Sequence, residues 1–534
     1  MPLRMWMYDL AREQTPSPNQ LRALCRLSLD NGYNAFGLYL EHRFRYPSEP
    51  WAAGKDSLEP ETVKLLEKEF PELRIIPFIN LLGHMEGFLY TEGGQRFAEE
   101  RFRGMQACPS NPNFVEFAKN LVRDAATCFK SEIIHIGGDE TKQLGACPKC
   151  KAKVEGWNEE GLDGKAMLYG EHFGPMADLV LSLGRRPGTW GDMFLEHPQA
   201  LGQMPKQTLI FDWQYMGGCL DTAPVFQKDG FEVVLCPTLH VYDAAWFHLL
   251  QSEQNVRLHA RQAQQLKAHG VCLTTWESAL FASYDTLFPA IAATGQILSA
   301  VQPESERPTS ETDDKPSEKL EPKFETEDSR FLAAYSAQGE HDEVWARLMG
   351  IELNQCGQFF AFSGHRSPLK ARLLLGGNPF LLWLHHREEL AGSSGDAALL
   401  ILEEALRTAP SEATKGITLF VRSAIEFARL VETASGHYAK GEVESAIARL
   451  ALTRQLFDDL ARVAQRTRER TGGSYADIER CRTAKEHVER VIVRIRKYGD
   501  GALGYVPSFE HLTQHSFVPQ DQGAWWLINR WIWE

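Results

Sequence analysis

Glu132-Ile133-Ile134-His135-Ile136-Gly137-Gly138-Asp139-Glu140 is the stretch from which the rest of this chain can be read. The apolar run Ile133, Ile134 and Ile136 reads as a short buried strand. Two glycines follow, which let a backbone come close to a ligand. Then come two adjacent carboxylates. On a regular strand Asp139 and Glu140 point to opposite faces, but where a strand gives way to a loop both can reach one pocket. A bare Asp-Glu pair is more often a solvated turn. The glycine pair and the surrounding chain favour acid/base chemistry instead.

Outward from this strand the pattern alternates. Strand-like segments are Met5 to Leu10, Ala35 to Leu40, Leu73 to Leu82, Arg186 to Asp192, Thr208 to Trp213, Glu232 to Pro237 and Val271 to Trp276. Between them run helix-like segments such as Pro18 to Asn31, Pro60 to Phe70, Asn113 to Phe129, Ala166 to Leu183 and Asn255 to His269. About eight strand–helix units fit within residues 1–301, the usual size of a (β/α)8 TIM barrel, an α/β fold. Residues 302–328 are rich in Pro, Ser, Thr, Glu and Asp and read as a linker. Residues 329–534 carry helical periodicity, with long helices over Glu442 to Thr467 and Tyr475 to Tyr498, and read as an α-helical C-terminal domain. The Trp-rich end, Ala524 to Trp533, is too apolar to be left in water, which suggests a homodimer through the helical domain.

Composition narrows the function. The 534 residues are 43% hydrophobic and 24% charged, ordinary for a globular protein. A formal net charge of −14 argues against nucleic acid as a partner. No run of about 18 apolar residues or signal-like leader is evident, so the expectation is a cytoplasmic protein with no membrane partner. The ten cysteines are mostly single and in apolar surroundings, as reduced core thiols are.

A parallel barrel places its chemistry at the C-terminal ends of the strands. The candidates there are Asp9 and Arg12, Glu41, His84 and Glu86, Asp139 and Glu140, Trp190 and Asp192, Asp212 with Trp213 and Tyr215, His240 with Tyr242 and Asp243, and Trp276 with Glu277. Each alone is weak; polar or aromatic residues at all eight ends are hard to explain as packing. With His135 to Glu140 as His-x-Gly-Gly-Asp-Glu, Asp9-Leu10-Ala11-Arg12 as Asp-x-x-Arg, and Gly83-His84, the first 300 or so residues resemble glycoside hydrolase family 20, the β-N-acetylhexosaminidases. The likeness is to the hexosaminidase D-like branch that lacks an N-terminal α/β domain.

The resemblance implies an exo-acting, retaining β-N-acetylhexosaminidase acting on a glycan with a terminal N-acetylhexosamine, through an oxazolinium formed by the substrate's own acetamide. It implies Glu140 as general acid and then base, and Asp139 as the residue that orients the acetamide. A charged Asp139 is expected to raise the affinity of Glu140 for its proton. Trp190, Trp213 and Trp276 match the family's acetamide box; Tyr242 matches the tyrosine that binds the acetamide oxygen, with Tyr215 in reserve. Arg12 matches the arginine that binds sugar hydroxyls, and Glu41 with His84 matches a supporting acid–histidine pair. The family's Trp-Gly-Glu is here Trp276-Glu277-Ser278 and its Tyr-x-Asp is Tyr242-Asp243, which leaves GlcNAc against GalNAc open.

No cofactor is called for. Cys147-Pro148-Lys149-Cys150 has the spacing of half a zinc site, but no second close pair exists, although Cys108 could join from a neighbouring loop. The reading favours no metal, with a structural zinc as the alternative. Two other functions fit the same residues: a non-catalytic glycan-binding protein, and a metal-dependent barrel hydrolase using His135, Asp139, Glu140 and His84. The second lacks a His-x-His pair on the first strand.

Overall fold

The computed structural model describes residues 2–11, 14–101, 103–240, 249–276, 286–300, 328–336, 342–356, 393–471 and 476–499. Within them, eight parallel strands close into a barrel in chain order. They are β1 (Leu3–Asp9), β2 (Ala35–Tyr39), β3 (Arg74–Phe78), β4 (Ile133–His135), β5 (Arg186–Trp190), β6 (Leu209–Trp213), β7 (Glu232–Cys236) and β8 (Gly270–Thr275). β1 closes the ring by pairing with β2 on one side (Met5 beside Ala35) and β8 on the other (Leu3 beside Gly270).

The sequence of β1 shows why the strands read as nearly continuous apolar runs. Both faces are buried. Met5 and Met7 join the barrel interior with Phe78, Trp190 and Phe211. Trp6, pointing the other way, donates from Nε1 to Ser28 Oγ at 2.7 Å on the covering helix Pro18–Asp30. Helix starts follow local rules: Ser17 and Asp163 cap the helices Pro18–Asp30 and Gly164–Ser182, and proline opens Pro18–Asp30, Pro60–Glu69 and Pro112–Cys128.

His135 marks the centre. Its ring stacks on Phe78 (centroids 4.4 Å apart) and meets Trp190 and Phe211 at 4.4 and 4.6 Å. Burial pushes this imidazole well below its usual range, so it is neutral, and its Nδ1 accepts the Gly137 N–H at 3.1 Å.

Two additions interrupt the alternation. An antiparallel ribbon, Ala98–Glu100 with Arg103–Ala107, stands in the β3–β4 connection, and the helix Pro148–Glu159 follows β4. Neither was expected from sequence, because the ribbon strands are short and polar and the helix is exposed on most faces.

The chain divides into two compact units. The first, Met1–Leu239, Glu253–Trp276 and Ile291–Pro322, holds the barrel strands. The second, His240–Ser252, Glu277–Ala290 and Lys323–Glu534, is helical where described, with Ser393–Thr408, Glu412–Ala439, Val443–Thr471 and Ala476–Gly499 as its long elements. In it Trp345 is buried and donates to Thr418 Oγ1 at 3.1 Å. Ser411 and Thr414 form a capping box at the start of Glu412–Ala439. The acidic segment 302–327 and the Trp-rich end lie outside the described residues. No described helix is long and apolar enough to cross a membrane.

Candidate active site

β4 stops at His135, and the chain turns through Gly137 (φ 73°) and Gly138 (φ 106°) before Asp139. A side chain at Gly138 would meet Tyr169 Oη at 2.4 Å and Thr189 Oγ1 at 2.8 Å. The pair is therefore explained by positive φ and by packing inside the protein, not by the approach of a ligand that the sequence suggested. Glu140 itself has φ 45°, and Glu41 (φ 40°) and His84 (φ 49°) share this left-handed conformation in the loops after β2 and β3. Non-glycine residues there cost about 1–3 kcal/mol each and cluster at functional sites.

The loop after β3 comes down on this turn. At Gly83 a Cβ would lie 2.5 Å from the Asp139 carbonyl, so only glycine allows the approach. His84 Nε2 then stands 3.3 Å from Asp139 Oδ2 and 3.4 Å from Glu140 Oε2. Burial alone would favour the neutral ring. The Asp139 carboxylate outweighs it, with help from Glu140, and holds the imidazole protonated well above its usual range. Asn80 anchors this loop: its Nδ2 donates to the His84 carbonyl at 2.8 Å and to Tyr39 Oη at 2.6 Å. Asp139 Oδ1 is buried and has no hydrogen-bond partner among the described residues.

Asp192 extends the cluster. It follows β5 and accepts the Glu140 N–H on Oδ2 at 2.9 Å and the Trp213 indole N–H on Oδ1 at 3.3 Å. Burial, then the neighbouring Asp139 charge, pushes its carboxyl up to about 7. From Trp213 an aromatic wall continues. The ring of Tyr215 lies 5.0 Å from that of Trp213, and its hydroxyl accepts from Trp276 Nε1 at 2.5 Å. Trp276 packs 5.8 Å from Trp190, which is fully buried as the floor of the wall, and edge-on to Tyr39.

Thus Asp139, Glu140, His84, Trp190, Trp213, Tyr215 and Trp276 are joined by a continuous set of contacts. Glu41 Oε1 accepts the Gly87 N–H at 2.8 Å, and Oε2 lies 3.7 Å from His42 Nδ1. It thereby braces the loop that carries His84. Arg12, Tyr242 and Glu277 lie outside the described residues. Asp212 turns to Thr222 Oγ1 (2.5 Å) and Gln214 Nε2 (3.0 Å) and serves the β6 loop. His135, a ligand in the metal-hydrolase alternative, is committed to the barrel core. Asp192 was named from the sequence as a strand-end candidate but given no role, and Asn80 was not named. Asp192 had a signal, a carboxylate two residues after Trp190 at a strand end; Asn80 sat inside an expected strand and had none.

Residues 74–283 match the family model for the glycosyl hydrolase family 20 catalytic domain. No curated protein matches the chain. Among solved structures it is similar to a β-N-acetylhexosaminidase from Bacteroides fragilis, at 19% identity and TM-score 0.44, covering 55% of this chain and 65% of that one. A family 20 exo-β-N-acetylglucosaminidase from Vibrio harveyi, in complex with N-acetylglucosamine, gives 18% and 0.45, covering 57% of this chain and 55% of its own. A Flavobacterium johnsoniae chitobiase gives 13% and 0.48, covering 91% of this chain and 78% of its own. The chain thus spans less than two thirds of the length of the first two.

Proposed function

From a barrel whose residues 74–283 are of glycosyl hydrolase family 20, we propose that this protein is an exo-acting, retaining β-N-acetylhexosaminidase that removes terminal β-linked GlcNAc or GalNAc by substrate-assisted catalysis. The observation that carries the reading is the Asp139–His84–Glu140 cluster facing one end of a wall of three tryptophans.

In this reading Glu140, the more exposed of the two carboxyls (39% against 10% for Asp139), protonates the glycosidic oxygen. The substrate's acetamide oxygen attacks the anomeric carbon as the leaving group departs. The orphan Oδ1 of Asp139 accepts the acetamide N–H and stabilises the positive charge that grows on that group. His84 holds the other Asp139 oxygen, so the acceptor is aimed before substrate arrives. Glu140, now a carboxylate, takes a proton from the water that opens the oxazolinium. Indole faces at Trp213 and Trp276, backed by the buried Trp190, suit an N-acetyl methyl and exclude water from the intermediate.

The test is a panel of nitrophenyl β-GlcNAc, β-GalNAc and β-glucose substrates with the full chain. Turnover confined to the two N-acetylated sugars is expected. Comparable turnover of the glucoside, or none of the three, rejects the reading.

A further inference from the structure

Three cysteines and one glutamate converge beside the active-site loops, and we propose that Glu99, Cys108, Cys147 and Cys150 form a structural zinc site. Their ligand atoms, one from each residue, all lie within 4.8 Å of one another. Cys108 Sγ stands 3.6 Å from both Cys147 Sγ and Cys150 Sγ, and Cys150 Sγ stands 3.4 Å from Glu99 Oε2. Tetrahedral zinc with Zn–S bonds of about 2.3 Å and a Zn–O bond of about 2.1 Å sets sulfurs about 3.8 Å apart, and sulfur about 3.6 Å from oxygen. The spacings match those edges. They are far longer than a disulfide bond of about 2.05 Å, and the cysteines are free.

The surroundings also suit an ion. Glu99, Cys108 and Cys150 are buried, yet no basic side chain pairs with Glu99 among the described residues. Carboxylate and thiols packed together without a cation are a poor core. Cys147 is the N-cap of Pro148–Glu159, and its Sγ accepts the Cys150 N–H at 3.4 Å, so the helix N-terminus faces the sulfurs and favours thiolates. Glu99 Oε1 accepts the Cys147 N–H at 2.9 Å, which leaves Oε2 turned to the sulfurs. Three soft sulfurs and one oxygen at these spacings select zinc over magnesium or calcium. All four protein positions are filled, which is the pattern of a structural site.

The two arms of this site belong to the loops that carry the catalytic groups. Cys147 and Cys150 come seven and ten residues after Glu140. Glu99 lies in the first strand of the ribbon and Cys108 directly follows the second, and the ribbon hydrogen-bonds the β3 loop through Met85 N to Met105 O and Ala107 N to Leu82 O, both 2.9 Å. Gln143 N also donates to Gln106 Oε1 at 3.0 Å. A zinc ion here clamps the segment after Glu140 to the segment that holds His84.

The experiment is metal analysis of freshly purified, reduced full-length protein, with a second measurement after chelation and addition of zinc alone. Equimolar zinc, released when a mercurial blocks the thiols, is expected. Cobalt in its place should give thiolate charge-transfer bands and the intense visible bands of a tetrahedral ion, a signature that a merely structural thiol cluster cannot give. Cys108→Ser and Cys147→Ser should each weaken zinc binding by about tenfold or more, while Cys128→Ser keeps it. If the serine variants fail to fold, the wild-type zinc content and cobalt spectrum still decide. Less than a tenth of an equivalent of zinc after reconstitution, or a disulfide between any two of the three cysteines in the fresh protein, overturns the proposal. The readout is metal content, so its failure is separate from failure of the glycosidase reading.

Discussion

Asp192 accepts the backbone N–H of Glu140 at 2.9 Å, so the main chain of the proposed acid is held from the neighbouring strand of the barrel. Glu140 needs such a hold, because its φ of 45° is one that a glutamate seldom adopts. Asp192 binds Trp213 with its other oxygen. One carboxylate therefore fixes both the acid and the first indole of the wall.

Asp192→Asn tests this link. An amide offers one acceptor where the carboxylate offers two, so either the Glu140 or the Trp213 contact is lost. We expect kcat/KM to fall by about 10–100-fold, the worth of one charge-assisted hydrogen bond. Removing a negative charge near Glu140 also makes it easier to ionise, so the alkaline limb of the pH profile should move to lower pH. Stability gives a second check. The folded value of about 7 lies above the unfolded one of about 3.9, so this one group lowers the stability of wild type as pH rises from about 4 to 7. Thermal melts of the variant should lack that slope. An unchanged pH profile and slope would count against the role.

Glu140→Gln should remove a proton donor worth about 10²–10⁴-fold on substrates with poor leaving groups. Aryl glycosides with activated leaving groups should lose much less in the first step. Steady-state rates on an alkyl and a dinitrophenyl N-acetylglucosaminide make the comparison, and equal losses on both would remove Glu140 from the acid role.

The fold was legible because a parallel barrel buries both faces of its strands: runs such as Met5 to Leu10 and Val271 to Trp276 stand out against helices with one apolar face. Strand ends were less legible: β4 ends at His135 although the apolar pattern continues to Ile136, and β3 ends at Phe78 although the pattern runs to Leu82. In the site, residues at strand ends could be named because topology places them. Their partners could not. The family resemblance set Glu41 beside His84, but no motif names the partners found for it here, the Gly87 N–H and His42. Glu99 carried no motif, and only the fold brings it to Cys150.

His84→Gln should be costly for the fold as well as for activity. The variant leaves the Asp139 carboxylate buried without its imidazolium, and breaking such a pair costs about 3–5 kcal/mol. The folded histidine titrates well above its unfolded value, so its contribution is complete below about pH 6.5 and is lost as pH rises through the folded value. The gap between wild type and variant in urea unfolding should therefore be widest in acid and narrow in alkali. A gap independent of pH would mean that the ring is neutral in the native state.

Asp139→Asn addresses the proposed mechanism most directly. If the acetamide oxygen is the nucleophile, no carboxylate bonds to the sugar, and Asp139 acts only through its charge and its acceptor oxygen. Asparagine keeps the size but removes the charge that steadies the oxazolinium, and one of its two terminal atoms becomes a donor. Turned to His84, that donor meets a protonated ring; turned to the substrate, it meets the acetamide N–H. Only the rotamer with its nitrogen against His84 keeps an acceptor at the Oδ1 position, and that rotamer sets two donors face to face. We expect kcat to fall by about 10²–10³-fold with KM changing far less, as for removal of one preorganised group at a developing charge. A thiazoline analogue of GlcNAc should inhibit wild type competitively and bind the variant much more weakly. A 2-deoxy-2-fluoro glycoside should leave the mass of the intact protein unchanged. A covalent sugar on Asp139 or Glu140, or a variant that binds the thiazoline as tightly as wild type, would sink the substrate-assisted mechanism.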